Sequence, residues 1–295
     1  MDPPSKAYCG YEAAVAKSKR LFQRWGVVFS FHPKSTKCYI CPVSKKRLVI
    51  GNWKMYIADA TEARALALLL RRKLRGLSGV DISIAPPHTM LTEISEVLKS
   101  SPIQVGAQTV SQHEDGPHTG EVSAAMLKDA GASFIIIGHS ERRASGDSGI
   151  TVRSQLERVI TAGLTPVLCI GEESRERDAD YFSFIEGQLN SALRNVPKNL
   201  LKKLIIAYEP VWAIGKNASQ AIKPTDLQEM VIFIRKMLAE LIGREAALKV
   251  PMLYGGSVEV ENALALIKEG GAAGFLVGHA SAHADSFLAI IKACK

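Results

Sequence analysis

Aromatic residues make up only 6% of the chain and cysteines number five, so neither aromatic clusters nor a disulfide framework can dominate the fold. Cys9, Cys38 and Cys41 fall near the start, Cys169 lies inside an apolar run and Cys294 is one residue from the end. This usage fits a reducing compartment, and a cytoplasmic location is expected. Also missing is any uncharged apolar run near the roughly 18 to 20 residues a spanning helix needs, since Trp25 to Phe31 is far too short. Beyond residue 47 there is no excess charge of either sign. Ten bases against Asp2 and Glu12 in residues 1–47 account for the whole net charge of +8, leaving 27 bases and 27 acids in the rest. The main body therefore offers no composition argument for nucleic acid or acidic membrane, and neither is an expected partner. With 47% hydrophobic and 22% charged residues, the 295-residue chain is not disordered, collagen-like or a small disulfide-built protein.

From Leu48 onward one pattern repeats: a short apolar, β-branched run, a turn, then an amphipathic stretch. Eight rounds are read. Their strand runs are Leu48 to Asn52, Val80 to Ala85, Ile103 to Gln108, Phe134 to His139, Pro166 to Gly171, Leu204 to Glu209, Met252 to Tyr254 and Gly274 to Gly278. Helical faces follow, such as Leu66, Leu69, Leu70 and Leu74, or Leu227, Met230, Val231, Ile234 and Leu238. Runs apolar on both faces, such as Phe134 to Ile137, suit parallel strands covered on both sides. Eight such units in one chain match a single closed (β/α)₈ barrel over residues 48–295, with residues 1–47 as a basic extension. A doubly wound sheet would have fewer strands and an early G-x-G-x-x-G, which the first strand does not precede.

In such a barrel the reactive residues lie just after the strands. Asn52-Trp53-Lys54-Met55 follows the first, Gly138-His139-Ser140-Glu141-Arg142-Arg143 the fourth, and Tyr208-Glu209-Pro210-Val211-Trp212-Ala213-Ile214-Gly215 the sixth. Tyr254-Gly255-Gly256-Ser257 and Gly278-His279-Ala280-Ser281 follow the seventh and eighth, with small residues whose backbone N–H groups can surround an anion. The set reads as acid–base chemistry on a phosphorylated substrate.

By these motifs the chain from about Leu48 to its end resembles the triosephosphate isomerase family. The resemblance implies an α/β fold, a single TIM barrel, and proton transfer between adjacent carbons of a triose phosphate through an enediolate. In this family's acid–base pattern, Glu209 corresponds to the base, His139 to a neutral imidazole electrophile and Lys54 to the fixed positive charge. Asn52 supplies a nearby donor, and backbone N–H groups at Gly215, Ser257, Gly278 and His279 are the expected phosphate site. Glu141 is the carboxylate near His139 and Lys54, and residues 210–218 correspond to a lid that excludes water. No metal and no cofactor are implied. The family pattern also implies a homodimer in which Gln108, Thr119, Gly120 and Glu121 belong to a loop reaching the partner, the glutamate meeting an arginine like Arg142.

Other reactive residues read as structural. Cys169 is expected to support the site as a core residue with no base nearby to activate it, and His88, His113, His118 and His283 lack metal-ligand spacing. Departures from the family pattern occur at residues 216–220, at His279 in place of a glycine, and at Thr109, Asp147 and Gly149. They leave two other readings: an isomerase of a four-carbon ketose phosphate, and a non-catalytic barrel scaffold tethered by the leader. The leader itself could be a transit peptide, a nucleic-acid or membrane tether, or upstream sequence from a misplaced start. A functionally irrelevant, disordered extension is the expectation, because Cys38 and Cys41 form a lone C-x-x-C and the barrel closes without it.

Overall fold

The computed structural model describes residues 46–175, 180–216 and 221–295. The expectations for Trp25, Phe29, Phe31 and the Cys38–Cys41 pair lie outside these residues, as does the lid beyond Lys216. Within them the chain forms a closed barrel in which each strand pairs in parallel with the next and the eighth returns to the first.

The strands are β1 (Arg47–Asn52), β2 (Val80–Ala85), β3 (Ile103–Ala107), β4 (Phe134–Ile137), β5 (Thr165–Ile170), β6 (Ile205–Tyr208), β7 (Met252–Tyr254) and β8 (Gly274–Val277). The α-helices are α1 (Ala60–Lys73), α2 (Leu91–Leu98), α3 (Ala124–Asp129), α4 (Ser140–Ala144), α5 (Gly149–Thr161), α6 (Asp180–Leu193), α7 (Pro224–Ile242), α8 (Arg244–Lys249), α9 (Val260–Lys268) and α10 (Ala284–Ala293). All eight expected strands form, with ends displaced by one or two residues. β1 begins at Arg47 because its N–H reaches the Gly79 carbonyl at 3.2 Å. β4 stops at Ile137 because Gly138, at φ 65°, turns the chain into α4.

The continuous apolar runs resolve into two faces. Ile50, Ala85, Phe134, Ile136, Val167, Cys169, Ala207, Leu253 and Leu276 pack together inside the barrel. Their neighbours Val49, Ile135, Ile137, Leu168, Ile170, Ile206, Phe275 and Val277 join the larger layer between strands and helices. The expected face of α7 is buried throughout, whereas in α1 Leu66, Leu70 and Leu74 are buried and Leu69 only partly. Asp59 begins α1 by accepting the Thr61 and Glu62 N–H groups, and those bonds, the Thr61 one foremost, hold its carboxyl below the usual range.

The seam between β8 and β1 leaves no room for a side chain. Leu48 pairs with Gly274, whose φ is 154° and whose added Cβ would sit 1.8 Å from the Leu48 carbonyl oxygen. Gly274→Ala is therefore expected to cost about 3 kcal/mol or to prevent closure. Gly187, within α6, has no atom within 4 Å of an added methyl. Gly187→Ala should stabilise the barrel by about 0.5 to 1 kcal/mol. Urea unfolding separates the two, and a Gly274→Ala chain with an unchanged midpoint would refute the seam argument.

Candidate active site

Because all strands are parallel, the segments after β1, β4, β6, β7 and β8 meet at one mouth. Asn52, at the end of β1, is buried and its Oδ1 accepts the Lys54 N–H at 3.1 Å. Gln108 donates from Nε2 to the carbonyls of both Lys54 and Ala85, each at 3.0 Å. These bonds hold Lys54 in the left-handed region at φ 47°, which costs a non-glycine residue about 1 to 3 kcal/mol. The strained turn aims the side chain across the mouth, where Nζ meets Glu141 Oε1 at 2.7 Å. Burial opposes ionisation of Glu141, but the Lys54 ammonium and the nearby His139 together hold its carboxyl below the usual range.

His139 stands immediately before α4 and is 6% exposed. Its Nδ1 accepts the Glu141 N–H at 3.2 Å, so the neutral ring carries its proton on Nε2. Nε2 lies 3.3 Å from Glu209 Oε1. The turn bearing His139 is pinned from behind by Arg143, which donates from Nε to Gly138 O at 2.8 Å and from Nη2 to Cys169 O at 3.2 Å.

Glu209 leaves β6 with its N–H on the Ile170 carbonyl and is 2% exposed. Its Oε2 accepts the Ser140 N–H at 3.1 Å, while Oε1 has no aligned hydrogen-bond donor among the described residues. Gly255 makes room for it, because a Cβ there would lie 2.7 Å from Glu209 Cγ. Cys169, expected to have no base nearby, in fact lies beside this carboxylate inside the barrel. The effect is the opposite of activation: burial first, then the Glu209 charge, pushes the thiol well up.

The base of the lid is tied by residues that the motifs did not single out. Buried Glu172 accepts the Tyr208 hydroxyl at 2.8 Å, the Trp212 indole N–H at 2.9 Å and Arg175 Nε at 2.8 Å. Arg175 also donates to the Tyr208 oxygen at 2.8 Å. The available signal is an acidic residue directly after the β5 run, since a carboxylate buried beside an apolar stretch needs several donors.

The expected phosphate groups are only partly gathered. Gly278 lies beside the Lys54 chain, with an added Cβ 3.4 Å from Cε and 3.6 Å from Nζ, and His279 starts the turn that follows. Gly215 has φ 70° at the described end of the lid. The Ser257 N–H, expected to face an anion, donates instead to the Ala213 carbonyl at 3.3 Å, and its Oγ accepts the Lys216 N–H at 2.9 Å. The start of the lid and the β7 loop satisfy each other's backbone groups in this state.

Thr119, Gly120 and Glu121 are exposed on the loop between β3 and α3 and do not join the mouth of their own barrel. Arg142, expected to meet a partner's glutamate, is engaged within the chain by Asp147 at 2.8 Å. Of the remaining histidines, His88 bonds the Thr109 carbonyl at 3.1 Å and His113 stacks on His118 at 3.6 Å.

The family model described as Triosephosphate isomerase matches residues 47–294. Over 250 residues the chain is 42% identical to a triosephosphate isomerase of Carboxydothermus hydrogenoformans, covering 84% of this chain and 98% of that protein. A triosephosphate isomerase of Geotalea uraniireducens is 41% identical over the same shares. Among solved structures, the triosephosphate isomerase of Bartonella henselae superposes with a TM-score of 0.72 at 33% identity, over 84% of this chain and 98% of that one. Barrel, mouth and relatives agree, and the chain belongs to the triosephosphate isomerase family.

Proposed function

We propose that the barrel interconverts dihydroxyacetone phosphate and glyceraldehyde 3-phosphate, with Glu209 as base, His139 as electrophile and Lys54 as the stabilising charge. The observation that carries this reading is the meeting at one mouth of a buried carboxylate, an imidazole 3.3 Å away and an ammonium 2.7 Å from Glu141. Glu209 takes the proton from one carbon while the His139 Nε2–H polarises the neighbouring carbonyl. The electron pair moves onto that oxygen, and the enediolate faces the Lys54 charge. His139 carries the hydroxyl proton from its oxygen to the former carbonyl oxygen, and returning the carbon-bound proton to the other carbon completes the exchange. One carbon is oxidised as its neighbour is reduced, so the electrons balance without a cofactor.

Gly278, His279 and, once the lid moves, Gly215 and Ser257 offer N–H groups to the phosphate. The Glu172 cluster holds the near end of the lid, confining motion to its far part. The names of the relatives favour a three-carbon substrate over a four-carbon one. An intact set of Lys54, His139 and Glu209 argues against a non-catalytic scaffold. A coupled assay is expected to show turnover of triose phosphate at least tenfold faster than of tetrulose phosphate. In the same assay Glu209→Asp, which withdraws the carboxylate by about 1 Å, should lose about a hundredfold in turnover or more. Near-normal turnover of that variant would remove Glu209 from the base role.

The reading includes a homodimer and a cytoplasmic setting. No helix among the described residues is long and apolar enough to cross a membrane. Next to the mouth, Met55 is 93% exposed, an apolar side chain suited to cover by a partner, and Thr119 projects on its own loop. Activity per subunit should fall on dilution as the dimer separates. Light scattering that finds a fully active monomer would overturn this.

In this reading the catalytic unit is the barrel alone. Removal of residues 1–45, which spares Arg47 and its bond to Ala272 O, should leave turnover and melting temperature close to those of the full chain. Were Trp25, Phe29 and Phe31 buried against the barrel, each would contribute about 1.5 to 3 kcal/mol. A drop in melting temperature of about 10 °C or more would then mark the leader as structural.

A further inference from the structure

A backbone N–H at position 279 can be supplied by any residue other than proline, so the imidazole there needs a separate explanation. Its ring stands edge-on to Tyr56, with centroids 5.1 Å apart and planes at 82°. On its other side it meets His283 at 4.9 Å and 63°. The three rings belong to different parts of the mouth. Tyr56 lies two residues beyond Lys54 in the loop after β1, and its N–H closes that turn on the Trp53 carbonyl at 3.1 Å. His279 opens the turn after β8, and His283 is the residue before α10.

That turn is already rigid on its inner side. Ser281 donates from N and Oγ to the Gly278 carbonyl, at 2.8 and 2.7 Å, and an added Cβ on Gly51 would come within 2.9 Å of Ser281 Cβ. The loop bearing Lys54 is held on its inner side by Asn52 Oδ1 and Gln108, and its backbone is kept in a strained conformation at φ 47°. Tyr56 is 50% exposed, so the hydrophobic effect alone does not hold it in place. Edge-to-face ring contacts are directional and supply that restraint.

We propose that Tyr56, His279 and His283 form an aromatic strap that holds the Lys54 loop against the turn after β8 and thereby sets how tightly the substrate's phosphate is bound. Tyr56 is a positioning residue in this scheme, acting through Lys54 and the Gly278–His279 N–H groups. The inference rests on the phosphate reading given above. Through the strap, the ammonium and the N–H groups stay at a constant separation, so the dianion meets both without having to order them first.

Steady-state kinetics on the full chain test this. Tyr56→Ala should raise KM for triose phosphate about three- to tenfold and raise the inhibition constant of inorganic phosphate in parallel, with kcat within about twofold. Tyr56→Phe, which keeps the ring and loses only the hydroxyl, should retain the wild-type KM. Adding Tyr56→Ala to His279→Gly should raise KM no further than His279→Gly alone, because both remove one contact. The strap is overturned if Tyr56→Ala leaves KM and phosphate inhibition unchanged, if it lowers kcat alone, or if the two substitutions add in full. A parent enzyme that inorganic phosphate does not inhibit competitively would instead refute the phosphate reading, and the strap with it.

Discussion

Closure of the parallel ladder at the β1–β8 seam is the constraint on which everything else rests. Leu48 and Gly274 approach so closely that no side chain fits between their backbones, and this contact converts eight strands into a ring. Once the ring closes, strand direction alone carries Asn52, His139, Glu209, Gly255 and Gly278 to one rim. Distances in sequence of more than a hundred residues become contacts of a few ångströms, with the interior packing of Phe134, Ile136, Val167 and Leu253 preventing collapse.

The electrostatics of the mouth depend on keeping four ionisable groups distinct. Glu141 is matched to Lys54, Glu209 is matched to a backbone N–H, and His139 stands between them with its Nδ1 on the Glu141 amide. The Nδ1 lone pair accepts that N–H, which leaves Nε2 facing Glu209. The arrangement separates a carboxylate with one free oxygen from a carboxylate neutralised by an ammonium.

Much of this was legible in the sequence, for physical reasons that differ by element. The Phe134–Ile137 run named its strand because a segment apolar on both faces is buried on both sides, and α7 showed its inner face through a 3.6-residue period. Residues after the strand ends were legible because their types carry chemistry. What was hidden depends on long-range contact: Glu172 with Trp212, Gln108 with Lys54, and Gly255 beside Glu209 each join separate loops, and no local pattern records such pairs. The bond from the Ser257 N–H to the Ala213 carbonyl was hidden for the same reason, since Ala213 sits on the lid. Cys169 is core, as its apolar run implies, yet its neighbour Glu209 at the end of the adjacent strand could not be seen from the β5 run alone.

The bridge made by Gln108 has a mechanical consequence. A single side-chain amide carries the carbonyls of Ala85 and Lys54, and the chain beyond it runs through buried Val110 and Ser111 to the exposed segment that holds Thr119. Force applied to that segment passes through one rigid amide into the strained backbone of Lys54. Any surface that docks on it would therefore tune the ammonium from outside, even without placing an atom in the mouth. Association and turnover would then share one lever, and a change to the docking surface would register first as a displaced charge.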